Sequence, residues 1–105
     1  MAIRLSDVAR QDIEDIRGYT VERWGRAQWF RYYRGLVAVF DRIEADPLTG
    51  QPRDVFVAGT RSVSYERHLV FFAPVAAAGG APVVLRVLHQ RRNLAAMSYA
   101  EDLDG

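Results

Sequence analysis

The sequence predicts an α+β fold: an N-terminal strand, then an antiparallel helical hairpin packed on one face of a small, mainly antiparallel sheet. Three features of the 105 residues lead to this prediction. Apolar residues recur at helical spacing as far as residue 46, runs rich in β-branched and aromatic residues follow from residue 62, and no repeat or linker divides the chain. Helices and strands segregated in this way are typical of α+β domains. We therefore expect one domain over residues 1–105.

The composition excludes several kinds of site. Half of the residues are hydrophobic and 11% are aromatic, as in globular rather than disordered chains. The absence of cysteine rules out disulfides, thiolate metal sites and a cysteine nucleophile. His68 and His89 lack carboxylates at metal-ligand spacing, and Gly79-Gly80 is not followed by the Lys-Ser/Thr pair of a phosphate-binding loop. We expect no metal, no cofactor and no small-molecule substrate.

The N-terminal segment, MAIRLSDVAR, has charges at Arg4 and Asp7 and lacks the apolar core of a secretory signal. No apolar run approaches the roughly 20 residues that a membrane-spanning helix needs. We therefore expect a cytoplasmic protein that does not contact a membrane.

The first strand and helix are predicted within residues 2–25. Ala2–Leu5 alternates weakly between apolar and polar residues, and Ser6 and Asp7 suit the cap and first turn of a helix. Gly25 suits the position after its last turn. The predicted inward stripe is Ala9, Ile13, Ile16, Thr20 and Trp24, widened by Val8 and Tyr19. The predicted solvent face is Arg10, Asp12, Glu14, Asp15, Arg17 and Glu22.

A second helix follows at once and ends before Pro47, because the residue before a proline disfavours helical backbone angles. Residues 6–46 are therefore predicted to form two antiparallel helices joined by a very short turn. The inward stripe of the second helix is Trp29, Tyr33, Leu36, Phe40 and Ile43, broadened by Phe30 and Val37.

The rest of the chain is predicted to form the sheet. Residues 46–53 contain two prolines and a glycine and read as a loop. Ser62–Tyr65 and His68–Ala73 are rich in β-branched and aromatic residues and flank the polar pair Glu66-Arg67, which indicates a hairpin.

The last strand is predicted over Val83–His89, after a turn at residues 76–82. Its nearly continuous apolarity indicates a central strand. A short helix from Asn93 to Tyr99 follows, and then an acidic tail at residues 101–105 that we expect to be frayed.

Arg86 lies inside this apolar strand and is expected to be structural. Period-two alternation places it on the face of Val84 and Leu88, opposite Leu85 and Val87. A buried guanidinium needs a charged partner. Either this face of the strand is partly open, or an acidic side chain pairs with Arg86.

The arginines of the C-terminal half form a candidate binding surface. Residues 59–100 contain five arginines and a single acidic residue, Glu66, and the chain has no lysine. Guanidinium groups suit carboxylates and phosphates, so an acidic protein partner, a nucleic acid and plain solvent all remain possible neighbours. His89 is either a general base or a strand-end histidine bonded to the backbone. The candidate target-binding residues are Arg61, Arg67, His89, Arg91 and Arg92.

Aromatic residues surround the turn between the two helices. A hairpin over a small sheet buries only its inner stripe, so we expect part of this group in the core and part, notably Phe30 and Tyr32, at the edge. An exposed aromatic patch is a typical anchor for a partner helix. The candidate partner-binding residues are Trp24, Trp29, Phe30, Tyr32 and Tyr33.

Four segments, taken in order, resemble the RelE/ParE superfamily of bacterial toxins and, within it, the ParE branch. They are IRLSDVARQDIEDI at residues 3–16, Arg23-Trp24-Gly25, DPLTGQP followed by GTRSVSYERHLVFF within residues 46–72, and VLRVLHQRRNL at residues 84–94. The last is the most specific, because ParE-like chains commonly end their last core strand in a similar histidine and basic cluster. The resemblance covers nearly the whole chain.

This resemblance implies a toxin of a type II toxin–antitoxin pair, neutralised by a ParD-like antitoxin. It also implies inhibition of DNA gyrase by binding, without catalysis and without sequence-specific contact to nucleic acid. RelE-like relatives instead cut messenger RNA on the ribosome. In their pattern Arg91 matches a basic position, but Met97 stands where those enzymes place a tyrosine, and Tyr99 comes two residues later. A nuclease that uses such residues with Arg61 and His89 is one alternative, and a degenerate module that only binds antitoxin is another.

Overall fold

The computed structural model of the protein describes residues 3–91 and confirms the predicted α+β fold and order of elements. A short 3-10 turn, Ala76–Ala78, separates the last two strands. The predicted helix at residues 93–99 and the acidic tail lie outside the described residues. The helices are α1 (Asp7–Trp24) and α2 (Arg26–Ala45), and the strands are β1 (Arg4–Leu5), β2 (Gln51–Pro52), β3 (Arg61–Tyr65), β4 (His68–Pro74) and β5 (Pro82–His89). Neither helix of this range is long and apolar enough to cross a membrane.

The five strands form a sheet in the order β1-β5-β4-β3-β2, in which β5 is flanked on both sides. β1 runs parallel to β5 and the other neighbours are antiparallel, as expected for a mainly antiparallel sheet. The short strand β2 lies within the segment predicted as a loop. Tyr65 pairs with His68, and His68 pairs with His89. These three residues therefore lie side by side at one end of the sheet.

The start of α1 is fixed to the sheet by its cap. The Ser6 hydroxyl accepts a hydrogen bond from the Ala9 backbone N–H at 3.0 Å and donates one to the Leu85 carbonyl at 2.9 Å. The predicted cap is confirmed, and it also ties α1 to β5. Gly25 is the single residue between the helices, and its φ of 88° is an angle that other residues rarely adopt.

The main core lies between the helical hairpin and the sheet. Its largest fully buried members are Leu36, Phe40, Ile43, Val70, Phe72 and Val84. A smaller cluster on the other face of the sheet joins Ala73 and Leu85 with Phe56, whose ring meets that of Phe71 edge to face at 5.0 Å. Within residues 3–91, helices thus cover one face of the sheet only.

The predicted alternation along β5 is wrong, because the strand contains a bulge. Phe71 pairs with Arg86 and Phe72 pairs with Val84, which leaves Leu85 as the extra residue. Val84 and Val87 consequently both belong to the main core, although strict alternation placed them on opposite faces.

Asp12, predicted on the solvent face of α1, is buried and pairs with Arg86. Two hydrogen bonds join the side chains, from Arg86 Nε to Asp12 Oδ2 at 2.9 Å and from Nη2 to Oδ1 at 3.0 Å. The Val87 backbone N–H donates to the same carboxylate at 3.0 Å. Of the two alternatives for Arg86, a partly open face or an acidic partner, the structure shows the acidic partner, and this pair fastens α1 to β5.

Candidate functional site

A cleft of ≈ 640 Å³ opens between the helical hairpin and one end of the sheet. The C-terminal half of α1 and the first turns of α2 form one side, and the β3–β4 turn and the end of β5 form the other. Trp24 and Tyr32 of the aromatic set line this cleft together with Arg67 and His89 of the basic set. The fold thus brings together two groups that lie far apart in the sequence.

The α1 side of the cleft carries an exposed aromatic pair, Tyr19 and Trp24, which we call the aromatic wall. Both were predicted in the inward stripe of α1, but they are 56% and 60% exposed because the last turns of α1 border the cleft instead of the core. Their rings meet edge to face with centroids 5.7 Å apart. The Arg23 guanidinium lies 5.3 and 5.6 Å from the two centroids, an arrangement that holds the rings in place.

The five aromatic residues of the candidate partner-binding set do not form a single surface. Trp24 and Phe30 are exposed, whereas only 7% of Trp29 is exposed. Tyr32 and Tyr33 are half-buried, with ring centroids 5.9 and 5.3 Å from that of Trp29. Trp29 is therefore a core residue, which corrects its place in the set, and Phe30 is exposed outside the lining of the cleft.

Tyr32, His68 and Tyr65 connect α2 to the sheet within the cleft. The Tyr32 hydroxyl lies 3.1 Å from His68 Nδ1, and the Tyr65 hydroxyl donates to the Tyr32 carbonyl at 2.7 Å. Burial raises the pKa of Tyr32, so the phenol keeps its proton at neutral pH. Because a hydroxyl can donate or accept, its contact with His68 persists whether the imidazole is neutral or protonated.

His68 and His89 form an imidazole pair at the sheet end of the cleft. They stand opposite each other on β4 and β5, and their rings meet edge to face with centroids 5.6 Å apart. His89 Nδ1 accepts a hydrogen bond from the Arg91 backbone N–H at 3.1 Å. This is the backbone hydrogen bond that a strand-end histidine makes, and it leaves the proton of the neutral ring on Nε2.

The candidate arginines are dispersed rather than gathered on one surface. Arg67 is exposed on the two-residue β3–β4 turn and lines the cleft. Its neighbour Glu66 has a φ of 53°, which is unusual for a residue with a side chain. Arg91 is exposed outside the cleft lining, and Arg92 lies outside the described residues.

The Arg61 side chain is bonded to backbone carbonyls of the protein itself and stabilises the fold. Its Nε donates to the Thr49 carbonyl at 3.0 Å, and its Nη2 donates to the carbonyls of Leu48 at 2.6 Å and Gly50 at 3.1 Å. The expectation that Arg61 is part of an exposed basic surface is corrected by these contacts, which fix the loop leading into β2.

We expect Arg61→Ala to lower the free energy of unfolding by about 1 to 2 kcal/mol, because three carbonyls lose a charged donor. Arg61→Lys should recover less than half of this loss, since an ammonium cannot span the carbonyls that a guanidinium reaches. Urea denaturation measures both, and Arg10→Ala, at an exposed position of α1, should stay within about 0.5 kcal/mol of the parent. Equal stability of Arg61→Ala and Arg10→Ala would contradict this role.

Some residues of the cleft carry no functional signal in the sequence. Arg31 resembles any solvent-face residue of a helix, and Tyr65 resembles any strand residue. Gly35 is a weak signal, because an isolated glycine within a helical pattern can have a packing reason but does not identify the residue that packs there. A Cβ at residue 35 would overlap the hydroxyl and ring of Tyr65.

The charges around the cleft are nearly balanced. Asp12 is neutralised by Arg86, and the remaining charged residues of the lining are Asp15, Arg31, Glu66 and Arg67. A balanced cleft does not concentrate a polyanion, whereas its aromatic wall suits an apolar protein segment. Within residues 3–91, no group of three or more histidine or carboxylate side chains is placed to hold a metal ion.

Comparisons with known proteins match most of the chain. The family model described as "ParE toxin of type II toxin-antitoxin system, parDE" matches residues 3–94. Over 90 residues the chain is 38% identical to Toxin ParE1 of Caulobacter vibrioides and 36% identical to Toxin ParE1 of Mycobacterium tuberculosis, and each match covers 86% of this chain and 90% of the relative. A solved structure from the chromosomal ParDE system of P. aeruginosa has a TM-score of 0.69 and 19% identity over 85% of this chain and 95% of that one, which shows a common fold. The chain therefore belongs to the ParE family of toxins of type II toxin–antitoxin systems.

Proposed function

We propose that this protein is the toxin of a cytoplasmic type II toxin–antitoxin pair, that it inhibits DNA gyrase by binding to it, and that a ParD-like antitoxin neutralises it. The observation that carries the proposal is the cleft with its exposed aromatic wall in a member of the ParE family. The proposed mechanism involves no catalysis.

The cleft supports the antitoxin half of the proposal. Tyr19 and Trp24 present large apolar surfaces to solvent, and Phe30 adds a third near the start of α2. Exposed aromatic side chains beside a concave surface are where binding energy concentrates in protein interfaces. The similar solved structure comes from a ParDE system, which supports an antitoxin of the ParD kind.

Two observations favour gyrase over RNA as the target: the balanced charge of the cleft and the residue at position 97. The balanced charge of the cleft offers little attraction for RNA, whose cleavage needs groups that stabilise the charge developing on the phosphate. Met97 also stands where RelE-like enzymes place a tyrosine. We assign gyrase binding to Arg67, His89 and Arg91, with Arg92 beside them in the sequence. An antitoxin segment in the cleft would cover the first two and so block the target.

We expect Trp24→Glu to weaken antitoxin binding at least about tenfold, because it removes a large exposed ring and places a carboxylate on the apolar surface. The variant should remain folded, since Trp24 is 60% exposed. Trp29→Glu should instead unfold the protein, because Trp29 is buried. Interferometry with a ParD-like antitoxin measures binding, and circular dichroism measures folding.

The matched control for Trp24→Glu is Leu48→Glu. Leu48 is 74% exposed and lies outside the cleft, so the same charge is introduced at an apolar position away from the proposed interface. Leu48→Glu should bind antitoxin as tightly as the parent. Equal affinities of Trp24→Glu and Leu48→Glu would place the antitoxin elsewhere.

A supercoiling assay tests the target. The purified protein should inhibit supercoiling by DNA gyrase, and added antitoxin should restore it. New ribosome-dependent cuts in messenger RNA, with supercoiling intact, would replace gyrase inhibition by RelE-like cleavage. The absence of any growth defect on induction without antitoxin would favour a module that only binds antitoxin.

A further inference from the structure

We propose that His68, His89 and Arg67 form a binding site for a carboxylate of the antitoxin, and that the complex takes up a proton there, so that binding tightens as the pH falls. This inference rests on the proposed occupation of the cleft by the antitoxin. It also makes a prediction for the protein alone.

The geometry leaves unpaired donors open to the cleft. His68 and His89 are opposite residues of an antiparallel pair, so both rings lie on the same face of the sheet, and both line the cleft. Their Nδ1 atoms contact the Tyr32 hydroxyl and the Arg91 backbone. Within residues 3–91 neither Nε2 has a hydrogen-bond partner, while every buried side-chain nitrogen or oxygen has one. Both Nε2 atoms are therefore accessible to a ligand.

A carboxylate is the ligand that suits these donors. Arg67 adds a planar guanidinium on the adjoining turn, exposed and without an ion pair in the described part of the chain. Charge-assisted hydrogen bonds from such groups to a carboxylate are about twice as strong as neutral ones. The occupant must also cover the aromatic wall, Tyr19 and Trp24, at the other end of the cleft. An apolar peptide segment with an Asp or Glu meets both requirements.

Residues 3–91 of the free protein provide no carboxylate to the imidazole pair. Asp12 is bonded to Arg86, and neither Asp15 nor Glu66 contacts an imidazole. Burial, and secondarily His89, lower the pKa of His68, against a smaller opposite effect of Asp12. In the described part of the chain, the titratable and charged groups around the pair are Asp12 and Asp15 on α1, Arg31 and Tyr32 on α2, Tyr65, Glu66 and Arg67 at the β3–β4 turn, Arg86 on β5, and Arg91 just after it.

The sign of the pH dependence follows from these surroundings. In the free protein the pKa of His68 lies below its ordinary value of 6.5, and a carboxylate within hydrogen-bond distance raises it in the complex. The additional affinity is fully present below the pKa that His68 has in the free protein. It is lost as the pH rises through the pKa that His68 has in the complex. We expect the dissociation constant to fall about tenfold between about pH 8 and pH 5.5.

Phenylacetate is the probe for the protein alone, because it joins a carboxylate to an aromatic ring. NMR titration should show that it raises the pKa of His68 by about 0.5 to 1. Benzyl alcohol, which has the ring without the carboxylate, should leave the pKa of His68 unchanged. Arg67→Gln should weaken phenylacetate binding several-fold, and Arg34→Gln, at an exposed position of α2 outside the cleft, should not. Imidazole titrations that phenylacetate leaves unchanged would overturn the proposal.

The ParD-like antitoxin of the proposed function provides the second test. Calorimetry in two buffers of different ionisation enthalpy should show proton uptake on binding, up to about one proton. His68→Gln combined with His89→Gln keeps polar side chains at both positions and should abolish the pH dependence. A dissociation constant that is independent of pH, or a pH dependence that survives in this double variant, overturns the carboxylate site and leaves the proposed function standing. The absence of a complex at any pH overturns both.

Discussion

Replacing Asp12 with alanine should lower the free energy of unfolding by about 3 to 5 kcal/mol, because it removes the carboxylate that is bonded to a buried guanidinium. Arg86 is 7% exposed and Asp12 9%, so the hydrogen bonds that are lost are those of a buried charged pair. The Val87 backbone N–H would lose its acceptor at the same time. Domains of this kind have a total stability of roughly 5 to 15 kcal/mol, so the loss would be a large fraction of the whole.

Urea unfolding followed by circular dichroism measures this loss. The matched control is Asp41→Ala, at an exposed position of α2, which should change the free energy of unfolding by less than about 0.5 kcal/mol. Asp12→Leu combined with Arg86→Met should recover most of the stability, since well-packed apolar residues can replace a buried ion pair at little cost. An Asp12→Ala protein as stable as Asp41→Ala would mean that the pair does not hold α1 on the sheet.

The ion pair also shows why the sequence predicts some features of this fold and misses others. Ser6 and Gly25 are correctly identified as helix ends because caps and helical periodicity are local properties. The partner of Arg86 is not local, since Asp12 lies 74 residues away. Helical spacing places Asp12 with its polar neighbours, and only the packing of α1 on β5 decides that it is buried.

The cleft is missed for a related reason. Spacing predicts which way Tyr19 and Trp24 face on α1, and they do lie on the side of the sheet. It does not predict whether anything covers them, and the last turns of α1 border a cleft instead of the core. The bulge at Leu85 is equally hidden, because one extra residue in an apolar strand leaves no mark on its composition.

The same substitution should have opposite effects at two helix glycines. Gly18 on α1 is exposed and has no atom within 4 Å of the place where a Cβ would stand. Gly18→Ala should therefore raise the free energy of unfolding by about 0.5 to 1 kcal/mol, through better helix propensity. At Gly35 on α2 the new Cβ would overlap the hydroxyl and ring of Tyr65. That ring would have to move, with loss of its hydrogen bond to the Tyr32 carbonyl and of the ring contact at 5.0 Å.

Gly35→Ala should consequently lower the free energy of unfolding by about 1 to 3 kcal/mol, despite the gain in helix propensity. Tyr65→Val removes the ring and keeps a β-branched residue on β3, so in that background Gly35→Ala should become stabilising. Urea unfolding of the parent, both single variants and the double variant measures this coupling, and simple additivity would show that Tyr65 does not occupy the space. Because Tyr32 and Tyr65 line the cleft, Gly35→Ala should also weaken antitoxin binding, whereas Gly18→Ala should not. Gly35 would then connect the packing of α2 directly to the shape of the binding surface.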